Sequence, residues 1–242
     1  MSQSGLHGIT GLYAARLLRP GDPADGRGAA VRTQAGAFKY GLVLGNILPD
    51  VDFFIMGPAY LVEGSAALGL HRSWSHSLLV QGVVSALLLW LWARGDPGRR
   101  GLVQGLWLGM AMHSFADVFL WFSGVRLLWP LPWGDVNLWR HVTPPGWLSN
   151  FLGAADYLFF ALFFAYLARV ARQGNVDLEL LPRIRGLNRV LYAMFFAFTV
   201  LAFVWRDRTA LYNIVDYALF ILVFLPVEIW LLLRMRETMA RA

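Results

Sequence analysis

Residues 109–117 read Gly109-Met110-Ala111-Met112-His113-Ser114-Phe115-Ala116-Asp117, which places a histidine and a carboxylate inside an otherwise apolar run. On a helix, the steps from Gly109 to His113 and from His113 to Asp117 each span four residues, so all three share one face. The glycine leaves that face open for another group to approach. Ionisable side chains are costly among apolar neighbours and indicate function there. The stretch therefore predicts a helix that carries part of a cation site.

The composition around this stretch is that of an integral membrane protein. Hydrophobic residues make up 57% of the 242 positions, above the roughly 45–50% of soluble domains. We expect an all-α fold, a polytopic helical bundle in which five apolar runs cross the bilayer. An interrupted segment at 36–56 either crosses or re-enters it. The five runs are 77–93, 101–122, 149–168, 189–205 and 210–233.

Positive charge lies in the gaps between these runs. In a soluble protein the formal net charge of +6 would raise the question of nucleic acid, but arginines between apolar runs report topology, and we expect no nucleic-acid partner. If the five helices alternate, eleven arginines fall on one side and four on the other. The richer side is then cytoplasmic. His76, His113, Asp117 and His141 are therefore expected near the extracytoplasmic face.

Cysteine is absent, so a metal site in this chain must use histidine, aspartate or glutamate. The run Pro49-Asp50-Val51-Asp52 offers two carboxylates in a turn, because proline tends to end the helix before it. Both can bind one cation, or one can bind while the other orients a histidine. A helix cap beside a solvated acid is the alternative interpretation.

The segment His71-Arg72-Ser73-Trp74-Ser75-His76-Ser77 precedes a strongly apolar run. His71 and His76 are five positions apart and diverge on a regular helix. We therefore expect His71 in a loop and His76 in the first helical turn, with Ser73 or Ser75 as the N-cap. One histidine at a membrane interface needs no function, whereas two that flank Arg72 favour one.

The N-terminal histidine, His7, has two possible locations. Residues 5–18 are expected to form a short amphipathic helix on the membrane surface, with Tyr13 and Leu17 on its apolar side. If segment 36–56 spans the bilayer, His7 lies on the opposite side from the other histidines. If that segment dips and returns, His7 can join them. The sequence leaves both arrangements open.

Taken in order, these motifs and Leu128-Trp129-Pro130 resemble the bacterial membrane-bound, predicted metal-dependent hydrolases, a family that includes a LexA-regulated inner-membrane type. The resemblance covers residues 1–135 and departs from the usual pattern at Ser75, where threonine is usual and the hydroxyl is kept. The Gly-x-x-x-His-x-x-x-Asp run also resembles the zinc-binding helix of zinc-dependent phospholipases C, whose later His-x-x-x-Glu ligands have no counterpart here. The resemblances imply a bacterial inner-membrane protein that hydrolyses a phosphoester or phospholipid.

Eight residues have a role in this hypothesis. Four side chains are predicted to hold one divalent ion, with zinc expected and manganese or iron as alternatives: Asp50, His76, His113 and Asp117. Asp52 is a candidate base, orienting residue or further ligand. His7 and His71 can hold a second metal, and Arg72 can neutralise a phosphoryl oxygen.

The bundle then divides into 1–145, a hydrolase-like part that bears the site, and 146–242, a three-helix membrane anchor. The rival interpretation is a non-enzymatic protein that binds metal structurally or transports ions, favoured by the intramembrane acids Asp156, Asp216 and Glu228. A third is an internal histidine–aspartate pair without metal. The expected partners are the lipid bilayer and a phosphoester substrate. Serine-hydrolase, P-loop and zincin signatures are absent from the sequence.

Overall fold

The structure is a computed structural model that describes residues 4–18, 30–52, 54–55, 58–59, 72–206 and 208–242. Within these ranges the chain is helical, and its strand-like pairing is limited to one isolated bridge between Val125 and Val136. The predicted all-α class is therefore confirmed. His71 lies outside the described residues.

Nine α-helices have both ends within the described ranges, and residues 54–55 and 58–59 are also helical. The nine are α1 (Ser4–Leu18), α2 (Gln34–Gly45), α3 (Leu78–Leu91), α4 (Pro97–Leu120), α5 (Gly146–Gly174), α6 (Leu181–Val204), α7 (Thr209–Leu219), α8 (Leu225–Arg234) and α9 (Arg236–Arg241). A 3-10 turn, Leu48–Asp52, follows α2. A π-helical turn, Phe220–Phe224, joins α7 and α8 into one rod. Ser77 rather than Ser73 or Ser75 caps α3, because its Oγ accepts the Val80 amide at 3.3 Å.

Three helices among the described residues are candidate membrane spans, and not the five predicted. Gly146–Gly174, Leu178–Val204 and Ala210–Arg234 are long and apolar enough to cross a bilayer. Helix α3 is apolar but has only 14 residues, about 21 Å of helix against a hydrocarbon core of about 30 Å. Helix α4 is long enough, but the polar groups that form the predicted site interrupt its apolar run.

Helix α1 forms where the sequence predicts it, and one of its sides packs against the bundle. Its small residues, among them Gly5, Gly8 and Ala15, are buried against the bundle, while Tyr13 and Leu17 are 60% and 75% exposed. The predicted apolar side is thus the exposed side of the helix, and the opposite side packs against the rest of the protein. Small side chains decide this orientation because they let helix backbones approach closely.

Close contact between α2 and α4 sets the position of the central helix. A Cβ on Gly41 or Gly45 of α2 would collide with the backbone of α4, and a Cβ on Gly105 or Gly109 would collide with the backbone of α2. Glycines spaced by four on both helices therefore bring the two backbones together. The group that approaches Gly109 is the end of α2, which places the 3-10 turn beside the next helical turn of α4.

The core lies between α5 and the N-terminal helices. Phe160, Phe163 and Phe164 of α5 are fully buried, and Leu12 of α1 and Leu42 of α2 belong to the same apolar cluster. A Cβ on Gly5 would collide with the α5 backbone at Phe160. The first and second predicted parts of the bundle therefore share one core, and α1 is held close to the end of α2.

Candidate metal centre

Four separate segments bring titratable side chains to one buried point. Helix α1 supplies His7, the 3-10 turn supplies Asp50 and Asp52, the turn before α3 supplies Arg72 and His76, and α4 supplies His113 and Asp117. All seven are at most 4% exposed. These are the predicted site residues except His71.

Two imidazoles and two carboxylates surround the centre of this cluster. The Nε2 atoms of His76 and His113 are 3.1 Å apart. Asp50 Oδ1 lies 3.8 Å from His76 Nε2 and 3.5 Å from His113 Nε2. Asp117 Oδ2 lies 3.5 Å and 4.0 Å from the same two atoms. Ligands around a tetrahedral zinc at about 2.0–2.2 Å are roughly 3.3–3.6 Å apart, so the distances from each carboxylate to the two Nε2 atoms are near those expected around one ion.

The outer ring nitrogens of both histidines are already engaged. His113 Nδ1 donates to the carbonyl oxygen of Asn46 at 2.8 Å. The Ser75 hydroxyl donates to Asp52 Oδ2 at 2.7 Å, and its oxygen accepts from His76 Nδ1 at 2.9 Å. With the proton on Nδ1 in each ring, both Nε2 lone pairs face the centre. Metal-ligating histidines are commonly oriented in this way by a carbonyl or carboxylate behind them.

The carboxylates show the same division between an inner and an outer oxygen. Asp50 Oδ2 accepts the Ser4 hydroxyl at 2.5 Å, and Asp117 Oδ1 lies 3.0 Å from His7 Nε2. Their inner oxygens, Asp50 Oδ1 and Asp117 Oδ2, accept no hydrogen bond of ordinary geometry from the described residues. Buried oxygens of this kind are expected to have a partner. Arg72 is an ion-pair partner of Asp117 Oδ2, and a cation at the centre would be a partner for Asp50 Oδ1 as well.

The net charge of the cluster also favours a bound cation. Three ionised aspartates and Arg72 carry two net negative charges before the histidines are counted, and buried charge is costly unless it is compensated. Without a metal, a proton on His113 offsets part of that charge, because Asp50 and Asp117 raise the pKa of His113 to about 9 against the effect of burial. Burial by itself raises the pKa of the Asp50 carboxyl, but the charge and hydrogen bond of His113 together with the charge of His7 hold that pKa below its usual value. Burial lowers the pKa of His7, with His113 adding to the effect against the opposing influence of Asp117. A divalent cation would balance the cluster.

Arg72 is fixed at the edge of the centre. Its Nε lies 2.9 Å from Asp117 Oδ2, its Nη1 donates to the carbonyl oxygen of Ser123 at 3.2 Å, and the guanidinium lies over the Trp121 ring at 5.5 Å. Arg72 itself has a positive φ of 60°. The loop after α4 therefore holds this cation against the same carboxylate that faces the histidines.

Asp52 and His7 lie outside the group of four central side chains. Asp52 Oδ2 is 3.9 Å from His76 Nδ1, so it lies behind that ring and reaches it through Ser75. The His7 ring stacks on His113 with 3.8 Å between centroids, and its Nδ1 has no hydrogen-bond partner among the described residues. Of the two arrangements that the sequence left open, the structure has the one in which His7 joins the other histidines.

Two groups of side chains have the spacing of metal ligands. Asp50, His76 and His113 form one, and His7, His113 and Asp117 form the other, with the ligand atoms of each group within 4.8 Å of one another. Both groups lie in the part of the chain that one family model covers: residues 3–209 match the model described as YdjM inner membrane protein.

The chain belongs to the YdjM inner membrane protein family. The YdjM match extends well beyond the 1–135 of the motif resemblance and includes α5 and α6, which fits the shared core of the two parts. Together with the three apolar helices, it supports a membrane location. Comparison with curated proteins and with solved structures finds no match. Hydrolase activity and the likeness to phospholipases C remain predictions.

Some site features of this YdjM-family chain were not predicted from the sequence. Ser4 and Asn46 hold the outer atoms of Asp50 and His113, and neither belongs to a motif with a ligand spacing. Gln81 donates to the Ser75 carbonyl oxygen at 2.8 Å and to Ser114 Oγ at 2.9 Å, which braces the His76 turn against α4. His141, expected near the other histidines, is exposed in the loop between α4 and α5.

Proposed function

We propose that this protein is a membrane-embedded, metal-dependent hydrolase that acts on a phosphoester. The observation that carries the proposal is the convergence of the Nε2 atoms of His76 and His113 with the inner oxygens of Asp50 and Asp117. The donor set of two imidazoles and two carboxylates suits zinc, with manganese or iron as alternatives. A divalent ion in such a site activates water near neutral pH and polarises the scissile group.

One ion fits the described residues better than two. The two groups with ligand spacing share His113, whose Nδ1 donates to Asn46. The remaining nitrogen, Nε2, has a single lone pair and serves one ion. His7 then acts as a partner that holds Asp117 Oδ1 rather than as a ligand of a second metal. A second metal would need His71 or another donor outside the described residues.

The surrounding side chains have separate tasks in this mechanism. Asp52 positions His76 through the Ser75 hydroxyl, which is the orienting role among those predicted for it. Arg72 adds a fixed positive charge beside Asp117, where it can attract an anionic phosphoryl group. His7 donates from Nε2 to Asp117 and leaves its Nδ1 lone pair able to accept a proton. His7 is therefore the better candidate base than Asp52.

Elemental mass spectrometry on the detergent-purified full chain tests the metal centre. We expect about one zinc, manganese or iron per chain in the wild type and loss of it in His113→Ala and Asp117→Ala. His141→Ala is the matched control, because His141 is exposed and outside the cluster. A folded wild type that contains no metal and takes up no added zinc or manganese would overturn the proposal. Hydrolysis of a soluble phosphodiester, bis-p-nitrophenyl phosphate, by the metal-loaded protein tests the reaction.

A non-enzymatic metal-binding or ion-transporting protein is the second candidate. The observation in its favour is Glu228 on α8, a buried acid in a membrane-spanning helix whose two carboxylate oxygens have no hydrogen-bond partner among the described residues. Intramembrane acids of this kind can mark ion pathways. Metal uptake into proteoliposomes, measured beside hydrolysis, distinguishes the two candidates.

A further inference from the structure

An apolar cleft of about 400 Å³ lies directly against the candidate centre. Its walls come from the 3-10 turn and the residues after it, from the turn that carries His76, and from α3 and α4. Its volume is in the range of about 300–1,000 Å³ that is typical of small-molecule sites. The cleft and the centre share Asp52 and Ser75, which line the cleft and orient His76.

Three polar side chains are among the residues that line the cleft. Gln81 lines it beside Asp52 and Ser75 and is 3% exposed. Its side-chain nitrogen is bonded to Ser75 and Ser114, but its Oε1 accepts no hydrogen bond among the described residues. A buried acceptor without a donor is expected to have one. This acceptor lies beside the orienting residues of the centre.

The outer wall is apolar and faces the surroundings of the protein. Phe54 and Trp74 are each 39% exposed and Val84 is 46% exposed, and all three line the cleft. The cleft runs into the outward face of α3, where Leu79, Val83 and Leu87 are also exposed. Extended apolar surface of this kind marks a contact with a membrane or an apolar ligand. In a family of inner membrane proteins the adjacent apolar phase is the bilayer.

We infer that this cleft holds an acyl chain of a bilayer lipid and presents the polar end of that lipid to the metal centre. A lipid matches both walls, with a hydrocarbon chain along Trp74 and Val84 and polar groups at Gln81 and Asp52. The inference rests on the proposed function in one respect: the hydrolysed substrate is then a phospholipid. In that reaction the water oxygen bonds to phosphorus, the phosphorus–oxygen bond to the lipid alcohol breaks, and the alcohol leaves with a proton from water.

Photocrosslinking in nanodiscs tests the occupant without requiring activity. The probe is a phospholipid with a diazirine at the end of one acyl chain, and the labelled peptides of the full chain are mapped by mass spectrometry. Val84→Trp fills the cleft, and the matched control Val83→Trp places the same bulk on the neighbouring exposed position of α3. We expect label at 48–55, 74–84 and Met110 in the wild type, with loss of this label in Val84→Trp and its retention in Val83→Trp.

Metal content and phospholipid hydrolysis are measured on the same samples. Val84→Trp is expected to keep its metal while it loses phospholipid hydrolysis, and Val83→Trp is expected to keep both. Equal labelling of Val84→Trp and Val83→Trp, or wild-type label only on Val83 and Leu87, would overturn the acyl-chain inference and leave the metal centre standing. Label that depends on Val84 in a wild type without metal would support lipid binding and overturn the proposed hydrolase.

Discussion

The Nε2 atoms of His76 and His113 face each other at 3.1 Å, while the Nδ1 atoms of both rings are bonded to groups behind them. If both Nδ1 atoms carry the proton, two lone pairs meet in a buried space beside two carboxylates. Only a shared proton or a cation makes that arrangement favourable. If a metal ion is what occupies this place, the stability of the protein should depend on that ion.

Removal of metal should lower stability. We expect chelation with EDTA to reduce the apparent melting temperature of the wild type in detergent, and added zinc to restore it. An ion present at about 100 times its Kd contributes about 2.7 kcal/mol to the folded state. Differential scanning fluorimetry provides the measurement, with His113→Ala as the variant that should not respond. A wild type that melts at the same temperature with and without EDTA would contradict the prediction.

Ser75 links Asp52 to His76, and its hydroxyl should be needed for tight metal binding. We expect Ser75→Ala to weaken metal affinity by about 10–100-fold, because groups that orient a ligating histidine have effects of that size. Ser75→Thr keeps the hydroxyl and should retain the affinity. Competition with a chromophoric chelator measures both variants. Equal affinities of the alanine and threonine variants would show that the link does not orient His76.

Gly109 should be required for the approach of α2 to α4, and through it for the position of His113. A Cβ at Gly109 would collide with backbone atoms of Leu42 and Asn46, so we expect Gly109→Ala to destabilise the fold by about 1–3 kcal/mol and to reduce metal content. Gly186→Ala in α6 is the matched control, because a Cβ there meets nothing within 4 Å. The control should be neutral or stabilising by up to about 1 kcal/mol, since alanine favours helix. Thermal unfolding in detergent compares the two.

Much of the inner layer of the site could be predicted from the sequence because its residues follow local rules. The four-residue spacing of His113 and Asp117 places them on one helical face, and proline before Asp50 places that carboxylate in a turn. The position of His7 could not be predicted, because its contact with Asp117 joins residues 110 positions apart. That contact depends on how α1 packs, and small residues rather than apolar periodicity decide the packing.

The groups that hold the outer atoms of the site residues, and the number of membrane spans, were also hard to predict from sequence patterns. Asn46 contributes its backbone carbonyl to His113, and every residue has such a group, so no motif marks it. Hydropathy identifies three candidate membrane spans clearly. The apolar runs that contain α3 and α4 were also predicted to cross the bilayer, but α3 has only 14 residues and polar site residues interrupt the apolar run of α4. The residues that carry the site are thus also those that weaken the membrane signal of their helix.

Replacement of Glu228 should show whether its carboxylate is only a buried group in the fold or binds a cation. Both carboxylate oxygens are buried on α8 without a hydrogen-bond partner among the described residues, so an apolar side chain of similar length should fit there at lower cost. We expect Glu228→Met to stabilise the protein by about 1–3 kcal/mol, which raises the melting temperature by about 2–4 °C per kcal/mol in a chain of this size. The exposed Glu179→Gln is the control and should change little. A lower melting temperature in Glu228→Met, together with lost metal uptake into proteoliposomes, would instead mean that the carboxylate binds a cation in the folded protein and would favour transport over hydrolysis.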